Sequence, residues 1–408
     1  MNVKTLFFAF IALVFGGPKA QSQTLEDYLQ LAADNNPEIQ AFELNYRLAL
    51  ERVEEVSGLP NLDLGFGYFA SEPETRTGAQ TARFAVTQML PWFGTLSARQ
   101  RYATSLADNE FVEFSIAKRK LALSVAQAYY TLYSLGAKAR ILESQIKWVA
   151  LNQERLLSAI EASKASLSDM LKLEIRLIDL KQKKLTLEHQ LAAERSAFNN
   201  LLNREAQAEL VVVDSLPLPK IDLPETPDFS NNPELVKFDK LFASVTQAEA
   251  LNQKERLPNL AVGVDFLTVE QRPDLVFDDN GKDILMPRVS LSIPVFSKKY
   301  SSVSAQNKLK QERIDLQKQQ RINVLEDTYS RAFARLKEAQ LSFELQSESL
   351  MRIEQTETLL LSQFAANSLA FEKLVEWKEL QLTMQLRLVD ATVQCYSQYA
   401  LINYLIHP

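Results

Sequence analysis

The chain has 408 residues, a formal net charge of −6 at pH 7 and one cysteine, Cys395. An acidic chain lacks the basic surface that a nucleic-acid backbone requires, so nucleic acid is excluded as a partner. A single cysteine excludes an intrachain disulfide. With only 10 glycines and an excess of Leu, Ala, Gln, Glu, Lys and Arg, the composition indicates a mainly helical protein.

Residues 1–22 have the pattern of an export signal. Lys4 supplies the positive start, an apolar run follows at 6–15, and a small-x-small cleavage site lies at 20–22. The run is too short to cross a bilayer as a helix. We therefore expect a mature chain that begins near Gln23, works outside the cytoplasm and carries no lipid anchor, since no cysteine lies near the cleavage site.

The remaining chain is a tandem duplication. Four short motifs of the first half recur in the same order in the second half: 35–39 at 231–235, 59–62 at 257–260, 88–94 at 292–297 and 168–171 at 371–374. The first repeat covers 23–215 and the second 231–408. A proline-rich linker, too proline-dense for a helix or a sheet interior, separates them at 216–230.

Each repeat is predicted to contain a helix, two strands and two further helices. In the first repeat, the opening helix runs from Thr24 to Val56, with Thr24 and Asp27 as a capping box. Apolar and polar residues then alternate, which predicts amphipathic strands. The strands lie at about 61–70 and 81–90, and at about 259–268 and 285–294.

Two very long helical hairpins follow the strand pairs. Leu96 to about Ser163 contains no proline and one glycine, and 297–365 contains neither. At a rise of ~1.5 Å per residue, each tract would extend on the order of 100 Å. The hairpins are predicted to turn near 164–166 and near 367–369.

The alternating strands allow two interpretations. They can form a soluble sheet with one face on a core, or they can cross a membrane with lipid on one side and water on the other. Their length of about nine to eleven residues suits a bilayer, and the export signal favours the second interpretation. Four strands cannot close a barrel, so closure requires several chains. A periplasmic coiled-coil adaptor or scaffold is the rival class, although it has no need of duplicated strand pairs.

On these features the mature chain resembles the TolC-type outer-membrane factors, the outer membrane efflux protein family. The resemblance rests on the duplicated plan, the Asn-Pro-Glu and Leu-Pro-Asn starts and the Gln-Met-Leu-Pro-Trp-Phe-Gly run at 88–94. It implies a homotrimer in the outer membrane, with a long periplasmic α-helical barrel and four strands per protomer in a 12-stranded membrane β-barrel. It also implies a periplasmic adaptor and an inner-membrane efflux pump as partners.

The resemblance implies a passive channel rather than an enzyme, without a cofactor. Among the branches of the family, the short chain and the 88–94 run look most like heavy-metal efflux channels. Efflux of drugs or small organic molecules and type I secretion are the alternatives. Many family members have glycine in the turn between the long helices, where this chain has Lys164 and Asn367.

Three groups of residues are candidates for channel function. Asp169 and Glu372 follow the helix turns and would form carboxylate rings at a threefold entrance; their alternative role is to complement the dipole of the returning helix. The polar strand faces contribute candidates for the barrel lumen: Asp63, Arg83, Asp265 and Arg288. The resemblance places adaptor docking at the turns, which are alternatively ordinary solvated turns: Lys164, Ala165, Ser166, Asn367, Ser368 and Leu369.

No catalytic residue and no cofactor or metal site is predicted. The two histidines, His189 and His407, lie far apart and belong to no metal or triad spacing. Single carboxylates abound, but solvated helix faces account for nearly all of them.

Overall fold

The structure is a computed structural model. It describes most of the chain, in these ranges: 24–161, 166–218, 221, 223–224, 226–274, 276–295, 298–366 and 371–407. The predicted signal at 1–22 lies outside them. Within these ranges, no helix combines the length and the apolar character needed to cross a membrane.

The predicted mainly helical, duplicated plan is confirmed. The first repeat contains α1 (Leu25–Asn35), α2 (Pro37–Ser57), β1 (Leu62–Tyr68), β2 (Glu74–Thr75), β3 (Gly78–Leu90), α3 (Thr95–Glu161) and α4 (Leu167–Leu201). The second repeat contains α5 (Pro233–Glu255), β4 (Asn259–Val269), β5 (Ile284–Ser292), α6 (Lys298–Ala365) and α7 (Phe371–Ile406).

The predicted single opening helix is wrong, because the chain breaks at Asn36 into α1 and α2. Asn36 is extended, and its side chain accepts a 2.9 Å hydrogen bond from the Glu38 amide. Pro37 follows at the first helical position, where its missing N–H is not needed. The capping box at the start of α1 is confirmed, since the Thr24 amide donates to Asp27 at 2.7 Å and the Asp27 amide donates to Thr24 at 3.4 Å.

The loop between the first two predicted strands contains an unpredicted short strand, β2. Its pairing with β3 extends β3 back to Gly78. At the other end of the sheet, β5 stops at Ser292, two residues before Pro294, a residue that cannot donate to a ladder.

The described residues divide into two compact units. Unit 1 comprises 24–33, the described part of 124–220 and the described part of 338–397. Unit 2 comprises 34–123, the described part of 221–337 and 398–407.

Unit 1 is built around a packed helical core. Buried apolar residues of α3 and α4 recur at every seventh position, the spacing that keeps one helix face on its neighbour. Residues of α7 complete the cluster. Its members are Leu142, Val149, Leu156, Leu173, Leu180, Phe371 and Leu382.

Tyrosine hydroxyls of unit 1 bind the chain that leads into the linker. Tyr28 donates to the Val211 carbonyl at 3.2 Å and accepts from the Val211 amide at 3.0 Å. Three more tyrosine hydroxyls form hydrogen bonds with the backbone that follows. Tyr129 and Tyr133 accept from the amides of Val213 and Leu216, and Tyr396 donates to the Pro217 carbonyl. These bonds satisfy backbone groups of a segment that forms no helix or strand in its described residues.

Unit 2 contains the sheet, an antiparallel array in the order β1-β3-β4-β5. Leu64 pairs with Val86 in the first repeat, and Val262 pairs with Val289 in the second. The Leu-Pro-Asn motifs place Leu64 and Val262 at equivalent positions. Both repeats therefore have the same internal strand register, and the pairing of β3 with β4 joins them into one sheet.

Candidate functional site

One face of the sheet is apolar and exposed in the single chain. The paired row Phe66, Phe84, Phe266 and Leu285 crosses all four long strands on this face. Its side chains are most exposed on the edge strands β1 and β5, where Leu64 is 76%, Phe66 69% and Val289 71% exposed. A soluble sheet normally buries such a face on a core, so this surface requires an apolar environment or a partner.

The four lumen candidates lie together on the opposite face. Register places Asp63, Thr87, Gly263 and Arg288 in one cross-strand row, and Arg83 and Asp265 in the next two rows of the same face. The sequence thus predicted a shared face correctly; a role in a lumen stays a prediction.

Asp265 is the centre of an ionic cluster on this polar face. Its side chain is 1% exposed and lies 2.8 Å from Arg83 Nη2 and 3.9 Å from Arg288 Nε. Arg288 also donates a 2.9 Å hydrogen bond to the Thr87 hydroxyl. Asp265 Oδ1 has no hydrogen-bond partner in the described part of the chain. The cluster ties three strands together and neutralises a carboxylate that could not remain buried alone.

Gly263 makes this arrangement possible. A Cβ at this position would lie 2.6 Å from the Val86 carbonyl oxygen and 3.0 Å from Thr87 Oγ1. Because glycine occupies the place between Thr87 and Arg288, the Arg288 side chain can cross β4 to reach Thr87. This is the close approach that a strand glycine often marks.

Most of the docking candidates at the predicted turns fall outside the described part of the chain. Lys164, Ala165, Asn367, Ser368 and Leu369 lie outside the described residues.

Ser166 is described, and it caps α4. Its side chain accepts from the Ser168 amide at 3.0 Å, while Asp169 accepts from the Ser166 amide at 3.4 Å. Asp169 therefore takes part in a capping box at the start of α4, where its charge also complements the helix dipole.

Glu372, in the first turn of α7, forms an ion pair with Lys172 of α4 at 2.8 Å. The hydrogen bond and the charge of Lys172 lower the pKa of Glu372, and the same contact raises the pKa of Lys172. Arg176 repeats the pattern one turn along, with Asp179 at 2.9 Å and Glu379 at 3.3 Å. Neither Lys172 nor Arg176 was predicted from the sequence, because their spacing of four residues is the only local sign that they share a face of α4.

The described residues contain no group of three or more His, Cys, Asp or Glu side chains that could hold a metal ion. The geometry shows an amphipathic sheet whose polar face pairs buried Asp265 with two arginines, and a Lys172–Glu372 ion pair near the starts of α4 and α7.

Several solved structures share the fold of this chain. No family model and no curated protein matches the sequence. The outer membrane protein VceC from Vibrio cholerae matches with a TM-score of 0.73 at 13% identity, over 94% of this chain and 95% of that one. CusC, whose structures concern folding and transmembrane channel formation, gives a TM-score of 0.75 at 13% identity, over 95% of this chain and 92% of that one. The CmeC outer membrane channel of Campylobacter jejuni gives a TM-score of 0.70 at 12% identity over 100% and 93%. The chain has the fold of these outer-membrane proteins.

Proposed function

We propose that the chain is one protomer of a homotrimeric outer-membrane channel, a passive exit duct that performs no catalysis. The observation that carries this proposal is the exposed apolar face formed by the four long strands of the sheet, whose opposite face is polar. In a membrane, the apolar face would contact lipid and the polar face would line water. The fold shared with outer-membrane channels supports the same function.

Three copies would satisfy both the sheet and the helices. Four long strands per chain are fewer than the about eight of the smallest membrane barrels, and three chains would supply twelve. The helices also leave apolar side chains exposed, including Ile175 on α4 and Leu316 on α6. In a ring of protomers, neighbouring helices would cover such residues.

The channel would receive its cargo from an inner-membrane pump through a periplasmic adaptor. The turn residues at 164–166 and 367–369 are the proposed docking positions. Asp169 and Glu372 are the proposed entrance residues, each forming a ring of three by symmetry. Since Lys172 pairs with Glu372, the ring would carry less negative charge than free carboxylates and would discriminate weakly between ions.

Heavy-metal cations are the substrate class to test first, because the 88–94 run and the short chain resemble metal-efflux channels. Drugs and small organic molecules come next, followed by type I secretion. A deletion strain should become more sensitive to copper, silver, zinc, cobalt or cadmium than its complemented control. Unchanged metal tolerance with increased drug sensitivity would assign the channel to drug efflux.

Fractionation tests the channel itself. Detergent extraction of the outer membrane should release a heat-resistant oligomer whose mass corresponds to three chains. Recovery of the protein as a soluble periplasmic monomer would contradict the proposal and favour the adaptor or scaffold class.

A further inference from the structure

Among the described residues, each edge strand of the sheet has a pairing partner on one side only. β1 pairs with β3, and β5 pairs with β4. Edge strands present unpaired backbone groups that can template pairing with another chain. In the proposed trimer, β5 of one copy would pair antiparallel with β1 of the next copy. We propose the register of that pair, with Leu291 opposite Leu64 and Val289 opposite Phe66. This register rests on the proposed trimer and deepens it.

The duplication supplies the register. The first strands of the two repeats, β1 and β4, are equivalent, with Leu64 at the position of Val262. The second strands, β3 and β5, are also equivalent, because Val86 pairs with Leu64 as Val289 pairs with Val262. A contact between a second strand and the next first strand therefore occurs once within the chain, between β3 and β4.

The β3–β4 pair is thus a template for the contact between copies. In it, Gln88 lies opposite Val262 and Val86 opposite Val264. Replacing each residue by its repeat equivalent converts these pairs into Leu291 with Leu64 and Val289 with Phe66. The same operation converts Thr87 with Gly263 into Ser290 with Gly65, and Met89 with Ala261 into Ser292 with Asp63.

The two faces of the sheet agree with this register. Leu64, Phe66, Val289 and Leu291 all belong to the apolar face, so the proposed pairs continue that face across the boundary. A slip by one residue would place Leu291 on a row with polar-face residues, which reverses the side-chain alternation. The register also puts Pro287 opposite Tyr68, the last residue of β1, where a missing N–H affects only the end of the ladder.

The glycines of β1 provide an independent observation. A Cβ at Gly67 would meet no atom within 4 Å, and a Cβ at Gly65 would meet Ala85 Cβ at an ordinary 3.5 Å. Packing within the chain therefore does not require glycine at either position. In the proposed register they lie opposite Arg288 and Ser290 of the next copy, so the small residues leave room on the polar face for the neighbouring Arg288 side chain.

Cysteine cross-linking in intact outer membranes tests the register. The matched pair is Ser290→Cys with Gly65→Cys, and the control pair is Ser290→Cys with Gly67→Cys, two residues away on the same face. Directly opposite residues lie about 5 Å apart and the offset pair about 7–8 Å apart, whereas disulfides need about 4.4–6.8 Å between Cα atoms. Within one chain the two strands are separated by three strand spacings, about 14 Å, so any link joins different copies.

After mild oxidation, the matched pair should give covalently linked trimer on denaturing gels and the control pair little or none, because only the matched pair falls within disulfide range; a reductant should reverse the link. More linkage in the control pair would overturn the register. The absence of linkage in both pairs, with intact heat-resistant trimers, would also overturn it while leaving the proposed function in place. A wild-type protein that forms no outer-membrane trimer would instead contradict the proposed function.

A second matched pair keeps the test decisive if the glycine variants fail to assemble. Ser292→Cys with Asp63→Cys follows from the same register, and Ser290→Cys with Asp63→Cys is its offset control. Buried Cys395 is present in every variant, so it cannot account for a difference between the pairs.

Discussion

Arg83 on β3 and Asp265 on β4 form a 2.8 Å ion pair across the junction of the two repeats, and the Asp265 side chain is 1% exposed. Arg288 of β5 approaches the same carboxylate at 3.9 Å. The buried Asp265 carboxylate therefore contacts arginines from the strands on both sides of β4.

Replacing Asp265 with Asn should destabilise the sheet, because two arginines would lose their counter-charge. Breaking a fully buried pair costs about 3–5 kcal/mol. Since the arginine side chains are 42% exposed, solvent screening reduces the expected loss to about 2 kcal/mol of unfolding free energy. Chemical denaturation of the detergent-solubilised protein measures it. Exposed Asp63 on the same face is the matched control, and an equal loss in Asp63→Asn would refute a special role for Asp265.

Replacing Gly263 with Ala should weaken the contact between the two repeats. The added Cβ would lie 2.6 Å from the Val86 carbonyl oxygen, so strand backbone must move, at a cost of about 1–3 kcal/mol. Gly58→Ala is the control, because it lies outside the sheet and its Cβ would meet only the Glu55 carbonyl oxygen, at an ordinary 3.8 Å. Thermal unfolding of the detergent-solubilised protein, followed by circular dichroism, compares the two variants; equal midpoints would show that the close approach at Gly263 carries no energy.

Acid should protonate Glu372 at the proposed entrance only at a lower pH than it would protonate a free glutamate. Lys172 lowers the pKa of Glu372 through a hydrogen bond and its charge, and Lys373 adds a smaller effect of the same sign. A lowered folded-state pKa means that the ion pair persists at neutral pH and is lost only as pH falls through that lowered value. The conductance of single channels should therefore change only below the ordinary glutamate pKa of about 4.3.

Lys172→Ala should shift this acidic transition upward, toward the ordinary glutamate pKa, and should increase cation preference measured from reversal potentials. Lys183→Ala is the control, because Lys183 pairs with Asp179 within α4 at 2.9 Å. If both variants behave like the wild type, Glu372 does not face the conduction path.

Replacing Tyr28 with Phe should loosen the chain before the linker. The ring would remain against Phe198, whose centroid lies 5.1 Å away, while both hydrogen bonds to Val211 would be lost. Because Val211 is 42% exposed, water can replace part of what is lost, and each hydrogen bond is worth about 0.5–1.5 kcal/mol. Limited proteolysis near Val211 should become faster than in the wild type. Tyr68→Phe removes a hydroxyl from an exposed ring and should leave the cleavage rate unchanged.

Several features of the fold follow from local sequence alone. Alternation with a period of two fixes which residues share a strand face, so the faces containing Phe66 and Asp265 were predictable without coordinates. The repeated Asn-Pro-Glu motif was also a local signal, because Asn36 and Asn232 cap helices that begin at the following proline. The break between α1 and α2 was missed only because the helical pattern on both sides of Asn36 was interpreted as continuous.

Other features depend on how distant segments meet. The sequence by itself determined the duplicated plan and the amphipathic strands, because these depend on periodicity and on residues near one another in the chain. Only the tertiary structure decided that Lys172 pairs with Glu372 and that Arg83 pairs with buried Asp265, since these contacts join residues 200 and 182 positions apart. Their partners are set by the rotation of helices and the register of strands, which no local pattern encodes.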